Sequence, residues 1–176
     1  VAGRTAVVID PLGHPTSFSY DAAGRRIAQT DPLGNRTTSA YDAAGRLQAT
    51  INPLGATTTV SYDAAGRPVA RMDANGHVTT TTYDAAGSVT AVTDARGYVT
   101  TNTYDGARDR LTTRDPLGHV TTWTYDVQGR AATRKDPRGI VTTYGYDATS
   151  ALTGMQYSDG TRCTFAYDAL GRRTRV

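Results

Sequence analysis

The sequence predicts an all-β chain: a continuous antiparallel meander of 21-residue, two-strand repeats. Three observations carry that prediction. A Tyr-Asp pair returns every 21 residues, without insertion. Each period contains two turn positions at fixed offsets, four and fourteen residues after the Tyr, occupied almost throughout by glycine. The segments between these positions are short and rich in Thr, Val and Tyr, residues that fit a pleated, half-exposed surface.

The period is plain in "YDAAGRRIAQTDPLGNRTTSA" (20–40), followed at once by "YDAAGRLQATINPLGATTTVS" (41–61). The framework pairs are Tyr20 and Asp21, Tyr41 and Asp42, Tyr62 and Asp63, Tyr83 and Asp84, Tyr104 and Asp105, Tyr125 and Asp126, Tyr146 and Asp147, and Tyr167 and Asp168. A repeat at fixed spacing is the mark of an array of one supersecondary unit. All 176 residues read as a single such array.

Each repeat opens with a turn, Asp-Ala-Ala-Gly in its commonest form. Its glycine is Gly24, Gly45, Gly66, Gly87, Gly129 or Gly171. Arg108 and Ser150 stand there in the other two repeats, whose turns are expected to bend differently. A strand such as "RLQATI" (46–51) follows. The second turn is Asp-Pro-Leu-Gly in its commonest form, with Gly34, Gly55, Gly76, Gly97, Gly118, Gly139 or Gly160, and Gly13 in the same frame. Asp bonds its own backbone, Pro presets φ, and Gly accepts positive φ. The proline is lost at 73–76 and 94–97, where a different bend is again expected. A strand such as "HVTTWTY" (119–125) completes the repeat. These segments are too short and too β-branched for helices.

Parity adds a constraint. Directly opposed residues of an antiparallel pair point to one face. If all framework tyrosines share a face, the two turns must differ, or a strand must carry a bulge elsewhere. The glycine after Pro-Leu is the expected bulge. Arg25, Arg46, Arg67 and Arg130 then fall near a Tyr, which suggests a ladder of rings and guanidinium stems. A meander this long should coil through strand twist, into a spiral or a stretch of a large barrel wall. Its two end strands are open edges suited to pairing with further copies.

The word Tyr-Asp-x-x-Gly-Arg, then Asp-Pro-Leu-Gly, then Thr-Thr before the next Tyr-Asp, resembles the YD-repeat or Rhs-repeat family. The resemblance covers nearly the whole chain. That family includes bacterial Rhs proteins, shell-forming components of insecticidal toxin complexes, and teneurins. The resemblance implies a curved or spiralling sheet that is a segment of a hollow β-shell. It implies, for bacterial members, a C-terminal toxin polypeptide held as cargo and delivered to another cell, hence a secreted or cell-surface location. The self-cleaving core region of toxin members does not appear among these residues.

Composition and motifs favour architecture over chemistry. Only 38% of residues are hydrophobic, with two Phe, one Trp and two Met, so a thick core is not expected. The net charge of +3 comes from 19 basic and 16 acidic residues without a polybasic run, which gives nucleic acid no footprint. No apolar run approaches the roughly 20 residues of a membrane-spanning helix. The single Cys163 allows no internal disulfide and takes a position held elsewhere by Thr37, Thr79 or Thr121. Start at Val1 and end at "GRRTRV" suggest a piece of a longer array.

The aspartates recur at equivalent turns, whereas catalysis needs one unique constellation, so no catalytic residue is assigned. His14, His77 and His119 share one repeat position, whole repeats apart, and cannot meet at one metal ion. The period is not that of calcium-binding β-rolls. No cofactor is expected. Tyr98, Trp123, Tyr144 and Tyr157 stand outside the Tyr-Asp frame and are the candidate contacts for a glycan. The expected function is a non-enzymatic wall segment around a polypeptide cargo, with an adhesion or carbohydrate-binding module as the alternative.

Overall fold

The computed structural model describes residues 4–175. No helix occurs among them. The strands are β1 (Thr5–Ile9), β2 (Pro15–Tyr20), β3 (Arg26–Thr30), β4 (Arg36–Tyr41), β5 (Leu47–Ile51), β6 (Thr57–Tyr62), β7 (Pro68–Met72) and β8 (Val78–Tyr83). They continue as β9 (Val89–Thr93), β10 (Val99–Tyr104), β11 (Arg110–Arg114), β12 (Val120–Tyr125), β13 (Ala131–Lys135), β14 (Val141–Tyr146), β15 (Leu152–Tyr157) and β16 (Arg162–Thr164). Strand order in the sheet is chain order from β1 to β16, so the sheet is an open meander and not a closed barrel. β17 (Ala166–Tyr167) and β18 (Arg173–Arg175) form a separate hairpin.

The chain divides into two compact units: residues 1–81 with 94–96, and residues 82–93 with 97–176. Each is a single layer of sheet without a conventional core. Among the described residues only Ala28 (4% exposed) and Thr142 (6%) are buried. Burial of apolar surface therefore contributes less here than in a two-layer domain, and the ladder, the turns and the side chains that tie one repeat to the next carry more.

Both turn series have the same backbone. In the second turn Gly34 N–H donates to the Asp31 carbonyl and Asp31 N–H to the Asn35 carbonyl, both at 3.0 Å. In the first, Gly24 N–H donates to Asp21 and Asp21 N–H to Arg25, again both at 3.0 Å. Each is a three-residue loop closed by a glycine in the left-handed region, with φ of 85° at Gly34 and 79° at Gly24. The expectation that only the glycine after Pro-Leu forms a bulge is therefore corrected.

Two identical turns would make the tyrosines alternate between faces. A separate bulge prevents this. In β2–β3, Ser19 faces Ala28 but Tyr20 faces Arg26, so Ile27 is the extra residue. The same shift occurs beside Tyr41, Tyr62, Tyr104, Tyr125, Tyr146 and Tyr167. The hairpins of the second turn have no such shift. Within the first unit Ser19 faces Ala28, which faces Thr38. One row thus returns after 19 residues while the sequence returns after 21, a slip of two per repeat. An even slip keeps the tyrosines on one face. It also sets each repeat back by roughly 7 Å along the strands.

The turns without glycine do not bend differently. Arg108 and Ser150 adopt φ of 71° and 68°, the left-handed region, and close the same loops. The loop at 73–76 keeps the shared form without proline, Gly76 N–H donating to the Asp73 carbonyl at 3.0 Å, and at 94–97 Gly97 has the same left-handed φ, 83°. The Asp side chain and the downstream ladder are enough to hold the bend.

Candidate functional site

The sequence pattern concentrates its polar chemistry at the Tyr-Asp turn. Asp21 comes first. Its Oδ1 accepts from the N–H of Ala23 (3.0 Å) and of Arg25 (2.9 Å), and its Oδ2 accepts from Arg25 Nε at 2.6 Å. Asp42 and Arg46, Asp63 and Arg67, and Asp126 and Arg130 repeat the pair, each at 2.7 Å. The backbone N–H of Arg25 holds the Asp21 carboxyl below the usual carboxylate range; desolvation opposes this and the guanidinium assists it.

The same guanidinium reaches the next repeat. Arg25 lies 4.9 Å from the Tyr41 ring centre, Arg46 4.5 Å from Tyr62, and Arg130 4.6 Å from Tyr146. Arg46 Nη1 also donates to the Asp63 carbonyl at 3.2 Å. One arginine therefore closes its own turn and touches the turn of the following repeat.

The Tyr hydroxyl makes the return link. Tyr41 donates to the Arg26 carbonyl at 2.9 Å, and Arg26 is the residue opposite Tyr20 at the bulge. Tyr62 donates likewise to Leu47 (2.8 Å), Tyr104 to Val89 (2.9 Å), Tyr125 to Arg110 (2.9 Å), Tyr146 to Ala131 (3.0 Å) and Tyr167 to Leu152 (2.9 Å). A bulge disrupts the ladder locally, and the next repeat's phenol satisfies a carbonyl there. Burial pushes the Tyr125 and Tyr146 hydroxyls above the ordinary phenol range, so they remain donors.

The histidines are tied to their own turns. His14, His77 and His119 place Nδ1 within 2.9–3.0 Å of Asp10, Asp73 and Asp115. They occupy, on the second turn, the position that Arg25 holds on the first.

The four irregular aromatics stand on or beside four different strands. Trp123 lies under Arg110, whose guanidinium is 4.4 Å from the ring. Its row runs through Arg134 and Thr142 to Tyr157, so two strands separate the two aromatics. Tyr157 takes the turn position normally held by Asp, and Gly160 N–H donates to its carbonyl. Tyr144 faces Met155 on β15. Tyr98 immediately precedes β10, beside the turn at 94–97, and is 53% exposed.

The RHS Repeat family matches residues 1–37, 20–57, 41–72, 62–99, 104–139 and 125–162. This chain belongs to the RHS repeat family. Among solved structures its fold resembles that of TcdB2-TccC3-Cdc42, with a TM-score of 0.72 at 16% identity over 99% of this chain and 12% of that one. The Photorhabdus luminescens Tc holotoxin pore gives 0.71, also at 16% identity, over 99% and 12%. The RHS repeats here thus span about an eighth of the length of those chains. No curated protein matches the sequence.

Within the RHS repeat, sequence reasoning missed two aromatics. Phe18 and Phe165 precede a framework Tyr by two residues, as Trp123 and Tyr144 do. Arg26 stands 5.7 Å from the Phe18 ring and Arg173 4.2 Å from Phe165. Alignment of the repeats on the Tyr-Asp pair would have found them.

Proposed function

We propose that this chain is a stretch of the wall of a shell that encloses a polypeptide cargo, the C-terminal part of its own parent chain. The observation that carries the reading is the lock between repeats. The Arg of one repeat lies over the ring of the next and donates to its turn carbonyl, and the next repeat's Tyr donates back to the backbone of the first, so a single layer extends without a core beneath it. A layer joined in this way makes a wall and leaves a face free on each side. The solved structures of similar fold are toxin-complex assemblies, which supports a toxin as the cargo and delivery outside the producing cell as the setting. The repeated carboxylates are spent on turns, which supports a wall without catalysis of its own.

Intact mass and terminal sequencing of the native polypeptide, with limited proteolysis, test this reading. The expected result is a chain several times longer, with many more repeats and a C-terminal segment protected from protease. A native chain ending near Val176 overturns the reading, because it could not close around a cargo. Glycan screening would then test the adhesion alternative, with Tyr98, Trp123, Tyr144 and Tyr157 as its candidate contacts.

A further inference from the structure

The acidic residues of this chain are almost all committed. Every one is aspartate, and only Asp109 and Asp159 do not open a turn. Carboxylates therefore sit at the two edges of the sheet, while several arginines stand on strands without a carboxylate beside them. In one place a strand arginine and a turn-tip arginine line a cleft; the second follows Asp94 by two residues, and its backbone N–H donates to Asp94 Oδ1 at 2.9 Å. Within the first unit a cleft of about 700 Å³ lies by the turns at 73–76 and 94–97, neither of which has a proline. Arg71, on β7, and Arg96, at the tip of the second turn, both line it.

Neither guanidinium has a hydrogen bond, ion pair or ring contact among the described residues. The one carboxylate in the cleft, Asp73, is occupied. Its Oδ1 accepts from the N–H of Asn75 (2.8 Å) and His77 (2.9 Å), and its Oδ2 meets His77 Nδ1 at 3.0 Å. That contact leaves the other ring nitrogen of His77 available. Val60, Arg71 and Thr79 form one row across three strands, so an aliphatic surface and a hydroxyl flank the Arg71 guanidinium.

We propose that this cleft binds an acidic polypeptide segment, with Arg71 and Arg96 each taking a carboxylate. The planar donor fork of arginine matches a carboxylate in bidentate fashion. Val60, opposite Arg71 and on the same face, accepts an aliphatic part of the same segment. The site is short and bounded by two turn tips, and the chain has no extended basic track of the kind a long polyanion requires. The inference stands independently of the shell reading.

Fluorescence anisotropy of labelled hexaglutamate, titrated with the chain at low salt, tests it. Saturable binding is expected, and R71A/R96A should weaken it by about tenfold or more, in line with two lost charge-assisted contacts. R36A/R114A removes the same charge from exposed strand positions elsewhere and should leave affinity within about twofold, since distant rim charges act weakly. Equal losses in the two double variants, or no saturable binding, would overturn the site. A sulfated hexasaccharide that binds more tightly than the peptide through the same arginines would overturn the polypeptide assignment. Thermal unfolding checks that R71A/R96A folds. If it does not, R71K/R96K keeps the charge and loses the fork; it should show partial loss, and unchanged affinity would count against the geometry.

Discussion

The two edges of the sheet have the same backbone turn and differ in what closes it. On the Tyr-Asp edge the closing residue is arginine in five repeats, and at Arg25, Arg46 and Arg130 it also lies over the next repeat's Tyr. On the opposite edge the same position holds His14, Asn35, Ala56, His77, Tyr98, His119, Ile140 or Thr161, and at His14, Asn35, Ala56, His77, His119 and Ile140 the bonds to the head of the turn stay within that turn. There Leu12, Leu33, Leu54 and Leu117 project from the tips, 79–92% exposed. The bulge, too, occurs beside the tyrosines alone. One edge couples repeats to each other throughout; the other chiefly reverses the chain, with the Ser158–Val141 pair as an exception. Identical turn geometry therefore does not imply an identical role.

Acid should strip both edges together, the largest effect. The Asp21 and Asp63 carboxyls are held below their ordinary value of 3.8 first by the N–H of Arg25 and of Arg67. Those of Asp31 and Asp73 are held down first by the side chains of Asn35 and His77. A carboxyl depressed in the folded state stabilises it above the unfolded value, and that contribution disappears as pH falls through the folded value. Circular dichroism should show a plateau down to about pH 4 and loss of sheet below it. Loss already near pH 6 would mean that other groups control the fold.

Substitution separates the edges. Tyr62→Ala removes a ring, its guanidinium contact and the bond to Leu47, and should cost about 2–3 kcal/mol in chemical denaturation. Leu54→Ala, at a 92% exposed tip, should change stability by less than about 0.5 kcal/mol. Equal costs would break the contrast. Alanine at a glycine of positive φ should cost about 1–2 kcal/mol on either edge. A Cβ at Gly45 would also meet Arg25 Nη1 at 3.3 Å, whereas one at Gly55 meets nothing within 4 Å. Gly45→Ala should therefore be the worse of the two.

Where evolution has left a side chain at φ of 71° or 68°, the reverse change should help. Arg108→Gly and Ser150→Gly should each stabilise by about 1 kcal/mol, read as a higher denaturation midpoint. Tyr62→Phe should have a smaller effect than Tyr62→Ala. Loss of the hydroxyl alone should cost about 0.5–1 kcal/mol and leave the guanidinium contact in place.

The sequence by itself determined the period, the turns and the all-β class. These are local matters: Asp21, Gly24 and Arg25 interact within four residues, and the chain carries that chemistry wherever it goes. The nearness of Arg25 and Arg46 to a Tyr was legible for the same reason, since a fixed period puts each arginine at a fixed step from the next ring. The site of the bulge was not legible. Parity demanded an extra residue somewhere, but only cross-strand pairing placed Ile27 opposite no partner and gave the Arg26 carbonyl to Tyr41. The cleft lined by Arg71 and Arg96 was hidden for a like reason. These residues lie 25 positions apart, and the two-residue slip between neighbouring hairpins, together with the absence of any free carboxylate nearby, belongs to the folded sheet alone.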